Sequence, residues 1–368
     1  MKRYLCLIGF ISLITIMSSS FSAYLEEDDK QGKTAEIIPQ DRVMPPRRGN
    51  EVTSLIGRVT VGRPYSQRNM TVFPLYLSNI EDDRRYVTLD KAIDRGWLKI
   101  YETGSGTVSR VDVENKSDHY IFMMAGEILG GGKQNRTISK DVLLQPRGGV
   151  VSVPVYCVEQ HRWSSGSSIN FISAKSLAPI SIRNSIQSGG SQGEVWKEVD
   201  SIQKTNKIKS SSGNFQEVYE DKEVKRKLAE YDPLGRLPRE TIGAVIVING
   251  RIAGAELFCN DELFAELWHK ILKSYSLDAI GRGRDDREIT HRYEDVTTGD
   301  VLRFLDSVYN ARFADERAVD AGFMYDISGA ISGKALIYRR SVIHLNLTGN
   351  EIIPLREDLR NERRGGDI

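Results

Sequence analysis

The residues best suited to chemistry lie in the stretch GEILGGGKQNR, residues 126–136. Consecutive glycines lack Cβ, so their backbone can take positive φ and present several N–H groups to one anion. A lysine there would add a point charge, an arginine a bidentate fork for phosphate or carboxylate, and two amides could contact hydroxyls. The predicted ligand-binding residues of this loop are Gly130, Gly131, Gly132, Lys133, Gln134, Asn135 and Arg136.

This loop does not match the phosphate-binding Walker motif. That motif has four residues between its first glycine and the Gly-Lys pair, followed by Ser or Thr. Here five residues separate Gly126 from Gly132, and Gln134 takes the hydroxyl position. Two interpretations remain open, an anion-binding loop and a glycine-rich turn that only joins two strands.

A second polar cluster ends the stretch VPVYCVEQHRW, residues 153–163. Because side chains alternate along a strand, we expect Cys157, Glu159 and His161 on one face. Glu159 or His161 could act as a general acid or base, and Glu127 beside the glycines is the third candidate catalytic residue. The cluster also contributes two candidate ligand-binding residues, Arg162 and Trp163.

Other interpretations of this cluster compete with catalysis. Cys157 and His161 form a weak nucleophile pair, since four strand residues would place them ~13 Å apart. No metal site is predicted, because the five histidines show no known ligand spacing. A non-catalytic interpretation is also open. The polar cluster could be a strand end that reaches solvent, and Glu127 could be an ordinary salt-bridge partner.

Composition and charge restrict the class of protein. The 368 residues hold 51 basic and 50 acidic side chains, with 40% hydrophobic and 27% charged residues. These proportions are typical of a globular protein with a substantial core. The near balance of charge argues against a broad nucleic-acid-binding surface, so no nucleic-acid partner is expected.

The first residues predict export. Lys2 and Arg3 precede an apolar run at 4–17, and small residues follow, which is the pattern of a secretory signal peptide over residues 1–22. We therefore expect a periplasmic or extracellular protein with no membrane span after signal removal. Removal of Cys6 with the signal would leave Cys157 and Cys259, either joined in a disulfide or present as two buried thiols.

The remaining chain is expected to be α+β with mainly antiparallel sheet, because strands and helices do not alternate as in βαβ units. A strand-rich half precedes a hairpin, a long helix, a second helix and final strands. The hairpin turns at Asn249-Gly250, and Asn260 or Asp261 caps the long helix. The expected divisions after the signal are a linker at 23–53, a β-rich half at 54–183, a helical and flexible bridge at 184–240, an α+β half packed on the first at 241–355, and a charged tail at 356–368.

The stretches GEILGGGKQNR, DVLLQP and PVYCVEQHRW resemble the ARG and rhodanese-phosphatase-superfamily-associated protein domain, a bacterial family of unknown activity. The resemblance continues through GAVIVINGRIAGAELF to VIHLNL, so it covers residues 55–348. It implies a role near ADP-ribose or related phosphorylated nucleotides and transfers no established catalytic residue. The matching positions are Gly126, Glu127, Gly130 to Gly132, Lys133, Gln134, Asn135, Arg136, Glu159 and Trp163.

Three hypotheses for function follow. The first is a site for a phosphorylated or other anionic small molecule, with hydrolysis as its expected reaction class; no cofactor is indicated. The second is a non-catalytic exported binding or scaffold module whose protein partners are not specified by the sequence. The third makes the glycine loop purely architectural.

Overall fold

The computed structural model describes residues 49–79, 82, 84–103, 109–162, 170–281 and 296–349. The predicted signal peptide, nearly all of the predicted linker, Trp163 and the charged tail lie outside the described residues. The helices are α1 (Glu51–Ile56), α2 (Leu89–Asp94), α3 (Ile180–Gln187), α4 (Gln192–Thr205), α5 (Gln216–Glu220), α6 (Lys222–Ala229), α7 (Asp261–Gly281) and α8 (Thr298–Asp306), with 3-10 turns at Asp232–Gly235 and Ser307–Asn310.

The strands, in chain order, are β1 (Val59–Val61), β2 (Tyr65–Gln67), β3 (Met70–Leu77), β4 (Tyr86–Thr88), β5 (Leu98–Glu102), β6 (Arg110–Asn115), β7 (Tyr120–Met123), β8 (Glu127–Gly131), β9 (Arg136–Ile138), β10 (Val142–Leu144), β11 (Gly149–Cys157), β12 (Phe171–Leu177), β13 (Thr241–Ile248), β14 (Arg251–Phe258), β15 (Arg312–Glu316), β16 (Phe323–Ser328), β17 (Ile331–Tyr338) and β18 (Ser341–Gly349).

The largest sheet has nine strands in the order β1-β3-β13-β14-β18-β17-β16-β15, with β2 paired to β3. Its pairings are antiparallel, including β3 with β13, where Val245 lies opposite Phe73. Strands β1, β2 and β3, from the expected β-rich half at 54–183, thus belong to the same sheet as the strands of the expected α+β half at 241–355.

Two smaller sheets hold the other strands. The six-stranded sheet has the order β12-β8-β9-β11-β6-β5 and is antiparallel, while the three-stranded sheet β10-β7-β4 pairs β4 with β7 in parallel. Helices and mainly antiparallel sheets confirm the α+β class.

Helix α7 lies at the centre of the molecule and contacts the nine-stranded sheet, β4, β12, α3 and α6. Its apolar residues recur at helical spacing, and Phe264, Trp268 and Tyr275 are buried in one cluster with β13 and β18 residues. Fully burying each such side chain contributes about 1.5–3 kcal/mol. The opposite face of the nine-stranded sheet packs on α1 and α8, whose Ile56 and Phe304 are buried there.

Local signals in the sequence account for several elements. Asn249 and Gly250 take φ of 52° and 70° at the β13–β14 turn, which confirms the predicted hairpin. The side chain of Asn260 accepts a hydrogen bond from the Leu263 amide at 2.9 Å, so Asn260 rather than Asp261 caps α7. Residues 51–53 were expected in the linker but form the first turn of α1, because the side chain of Asn50 caps it through the Thr53 amide.

Two further observations concern membrane-spanning helices and the cysteines. Within the described ranges, no helix has the length and apolar character needed to cross a bilayer. Cys157 and Cys259 are both buried and form no disulfide. Of the two alternatives left open by the sequence, a disulfide or two buried thiols, the structure has the two buried thiols. Burial raises the pKa of Cys157 to about 11.

Candidate functional site

The predicted loop is the turn of a β-hairpin, which we call the glycine hairpin and define as residues 127–138. Strand β8 pairs antiparallel with β9, and Leu129 lies opposite Arg136. Gly131 and Gly132 have φ of 110° and 54°, values that L-residues with a side chain rarely adopt. A Cβ on Gly132 would also overlap the ring of Phe171, so the turn requires glycine for conformation and for space.

The amides of the glycine hairpin bind acceptors from the protein itself. The Lys133 amide donates to Oε1 of Glu102 at 2.8 Å, and the Asn135 amide donates to Oε2 of Glu159 at 3.0 Å. The Gly131 amide donates to the side chain of Asn135 at 3.0 Å. The concavity that could bind an external anion is thus occupied by two carboxylates of the chain.

The loop and the end of β11 lie side by side, and Glu159 joins them. Arg162 lies 2.7 Å from Glu159 and also donates to the carbonyl oxygen of Gly132 at 3.1 Å. Glu159 is only 2% exposed. Burial acts to raise the pKa of Glu159, but hydrogen bonds from Arg162 and the Asn135 amide outweigh burial and lower it. A carboxylate held ionised by two internal donors is a weak general base.

His161 does not share the buried face with Glu159. Strand β11 ends at Cys157, and the Phe215 amide bonds to the carbonyl of Val158, so alternation along the strand stops there. The His161 amide donates to the carbonyl oxygen of Ser212, and its side chain is exposed. The face that we expected Cys157, Glu159 and His161 to share therefore ends at Cys157. Side chains alternate between two faces only while the strand continues.

Arg136 supports the hairpin from inside. Its side chain is 0% exposed, its Nη1 donates to the carbonyl oxygen of Gln134 at 2.9 Å, and its Nη2 lies 3.8 Å from Glu102. Gln134 is buried as well and accepts a hydrogen bond from the Cys157 thiol. The cation that we expected to hold a ligand instead balances the charge of Glu102.

Glu127 lies at the other end of β8 and is 1% exposed. It forms an ion pair with Lys270 of α7 and accepts a hydrogen bond from the Met124 amide at 2.8 Å. Lys270 also lies 2.8 Å from Asp90. Burial raises the pKa of Glu127, with Lys270 acting against it. This carboxylate joins α7 to β8, and the hairpin turn lies at the opposite end of the strand.

Sequence reasoning missed a buried ionic network beside α7. We call it the central ionic network and define it as Asp141, Arg183, Glu256 and His344. Arg183 lies 2.6 Å from Glu256, and the imidazole of His344 bonds to Glu256 and to Asp141. Lone charged residues in four distant segments give no local pattern that could have predicted this contact.

A surface groove of about 500 Å³ lies at the end of the β9–β11 pair remote from the hairpin turn. Among the described residues that line it, the charged ones are Arg110, Lys140 and Arg317, and none is a carboxylate. We call it the cationic groove. Val150 and Val319 contribute apolar surface.

The three cations of the groove have different surroundings. Arg110 donates to Oγ of Ser152 at 2.7 Å, and Lys140 forms an ion pair with Glu316. Arg317 is exposed, and no carboxylate in the described part of the chain lies within 4.0 Å of its guanidinium. The sequence placed no site here, because β6, the β9–β10 turn and the end of β15 meet only in the folded chain. Among the described residues, no group of three His, Cys, Asp or Glu side chains could hold a metal ion.

These features define an α+β protein with a large antiparallel sheet, a buried central helix and a cationic surface groove. The chain belongs to the family of the ARG and Rhodanese-Phosphatase-superfamily-associated Protein domain, whose model matches residues 58–348. The resemblance noted in the sequence is confirmed. Comparison with curated proteins and with solved structures found no match.

Proposed function

We propose that this protein binds a phosphorylated or other anionic small molecule in the cationic groove, outside the cytosol, without catalysing a reaction on it. The observation that carries the proposal is that Arg110, Lys140 and Arg317 line one groove whose described lining residues include no carboxylate. Lys140 is paired with Glu316 beside the groove, so the two arginines are the main anion-binding groups. Such a lining creates a positive potential that attracts anions, and arginine binds phosphate or carboxylate through parallel hydrogen bonds.

The size of the groove favours a nucleotide-like ligand over a single inorganic ion. Its volume of about 500 Å³ lies within the roughly 300–1,000 Å³ typical of small-molecule sites. Val150 and Val319 give a base or sugar apolar surface to pack on, while Arg110 and Arg317 would contact phosphates. The family description associates the domain with a rhodanese-phosphatase superfamily. ADP-ribose or a related phosphorylated nucleotide is the ligand class that the resemblance in the sequence implies.

The surroundings of the candidate catalytic residues favour binding over hydrolysis. Glu127 and Glu159 are buried and bonded to internal cations, and neither lines the groove. A general base must reach the proton that it removes, directly or through one water molecule. The pattern at residues 1–22 supports export, and it is the reason for placing the ligand outside the cytosol.

Isothermal titration calorimetry with ADP-ribose, ADP and ribose 5-phosphate tests the binding site. The double variant Arg110→Ala/Arg317→Ala should weaken the binding of these phosphates about 100-fold, since a hydrogen bond to a charged group contributes about 1.5–3 kcal/mol. Arg251→Ala is the matched control, because it removes one exposed arginine at the β13–β14 turn. Loss of binding in Lys133→Ala but not in the groove variant would assign the ligand to the glycine hairpin instead.

A panel of phosphoesters and ADP-ribose conjugates tests the absence of catalysis. We expect no turnover above the buffer rate at saturating ligand. Turnover that disappears in Glu127→Gln or Glu159→Gln, with affinity retained, would show a hydrolase and contradict the non-catalytic proposal.

A further inference from the structure

A second cavity lies between α6, α7 and the 3-10 turn at Asp232–Gly235. Its volume is about 160 Å³. His269, Lys273 and Ser276 line it from α7, and they share one face of that helix because they lie four and three residues apart. Lys225 of α6 faces them. We call this cavity the lysine pocket.

The lysine pocket is lined by the ammonium groups of Lys225 and Lys273 and by one carboxylate, Asp232, so its charge is mainly positive. Lys273 is half-buried, and its Nζ lies 4.7 Å from the centroid of the Tyr219 ring. Across the described ranges, no carboxylate lies within 4.0 Å of this ammonium. Burial and the nearby charge of Lys225 lower the pKa of Lys273, and Asp232 is the carboxylate that acts against them. A bound anion would relieve the repulsion between the two lysines.

One residue that lines the same pocket, Ser276, carries a hydroxyl without a partner among the described residues. Ser276 is 1% exposed, and its Oγ has no hydrogen-bond partner among the described residues. Leaving a buried polar atom unbonded costs about 1–3 kcal/mol, which a ligand oxygen could recover. Lys273 and Ser276 are three residues apart on α7 and both line the pocket, so one face of the helix brings an ammonium and a hydroxyl donor to it.

The rest of the lining is apolar and limits the ligand. Leu228, Ala229 and Leu272 form part of the wall. A fully polar ion such as phosphate would leave these side chains without contacts, whereas an organic acid would cover them. A cavity of ~150 Å³ holds a molecule the size of benzene, so the volume suits a body of about six carbon atoms.

We propose that the lysine pocket binds a small carboxylic acid in its anionic form, with the carboxylate on Lys273 and Ser276 and a short apolar body against Leu228 and Leu272. This site is separate from the cationic groove and does not depend on the function proposed for it. The two share no lining residue.

Calorimetric titration with benzoate, acetate and inorganic phosphate tests the proposal. Benzoate should bind at least about tenfold more tightly than acetate or phosphate, because only benzoate buries apolar surface. Lys273→Met and Ser276→Ala should each weaken benzoate binding about tenfold or more. Lys227→Met, an exposed lysine of α6 that does not line the pocket, is the matched control and should bind benzoate like the parent protein.

Several results would overturn the proposal. They are the absence of benzoate binding, equal binding of phosphate, and an equal loss of affinity in Lys227→Met. If Lys273→Met does not fold, Lys225→Met carries the same test, since it removes an exposed cation of the same pocket. The double variant Arg110→Ala/Arg317→Ala should bind benzoate normally, so failure of the groove proposal and failure of this one give different results.

Discussion

The Nε2 atom of His344 on β18 lies 2.9 Å from Oε2 of Glu256 on the neighbouring strand β14. The other ring nitrogen of His344 lies 2.6 Å from Asp141. Burial alone would lower the pKa of His344, but the attraction of Asp141 and Glu256 outweighs burial and raises the pKa to about 9. The imidazole is therefore a buried cation at neutral pH, held between two carboxylates.

This arrangement predicts a fall in stability at alkaline pH. Because the folded pKa of His344 is raised from 6.5 to about 9, its contribution is complete below pH 6.5 and is lost as the pH rises through about 9. We expect the free energy of unfolding to fall by roughly 3 kcal/mol across that range. Urea denaturation at a series of pH values measures this free energy of unfolding. His344→Gln should flatten the fall, and His269→Gln, an exposed histidine, should retain it.

The same network predicts resistance to acid. Burial acts to raise the pKa of Glu256, but Arg183 and His344 lower it to about 2. Its contribution to stability is present above its ordinary pKa of 4.5 and is lost as the pH falls through about 2. Glu256→Gln should therefore lose more stability at pH 6 than at pH 2. Equal losses at both values, measured by urea denaturation, would contradict a charged Glu256.

Removing Arg183 should cost far more than removing an exposed arginine. Arg183→Met leaves the fully buried Glu256 without its closest cation, and breaking a buried pair typically destabilises by about 3–5 kcal/mol. Arg226→Met removes an exposed pair with Glu223 and serves as the matched control. Chemical denaturation of both variants gives the comparison. A similar small effect in both would show that the network contributes little to stability.

Arg136 should behave as a structural residue. Arg136→Met leaves the buried carboxylate of Glu102 beside the hairpin without its cation, so we expect a loss of about 3–5 kcal/mol in the free energy of unfolding. Lys133→Met should retain the hydrogen bond to Glu102, since the Lys133 backbone amide makes it. A nearly unchanged melting midpoint in Arg136→Met would return Arg136 to the set of candidate ligand contacts.

Gly132→Ala tests why the hairpin contains glycine. The substitution meets both a positive φ of 54° and the ring of Phe171, so its cost should exceed the roughly 1 kcal/mol expected for backbone strain alone. Gly96→Ala separates the cost of backbone strain from the cost of the contact with Phe171. Gly96 has a φ of 68°, and nothing lies within 4 Å of the added Cβ. Equal costs, measured by denaturation, would show that the contact with Phe171 is not important.

Much of the fold could be predicted from local patterns. The Asn249-Gly250 turn, the spacing of apolar residues in α7 and the alternation of buried side chains from Val153 to Cys157 each depend on residues adjacent in sequence. Such patterns identify helices, strands and turns, because each of these requires particular residue types at positions a few residues apart in the sequence. These local patterns do not tell whether the glycine loop lies beside Glu159, and the structure places the two side by side.

The sequence by itself determined the family, the α+β class and the positions where the hairpin needs glycine. Each of these depends on the order of residues that are close together in the chain. Only the tertiary structure decided which charges face inward. Lys133 and Arg136 look alike in sequence, yet the guanidinium of Arg136 is buried because Glu102, from a strand 34 residues away, lies beside it. Charges act through space, so their partners, and the groove formed by Arg110, Lys140 and Arg317, depend on contacts between distant segments.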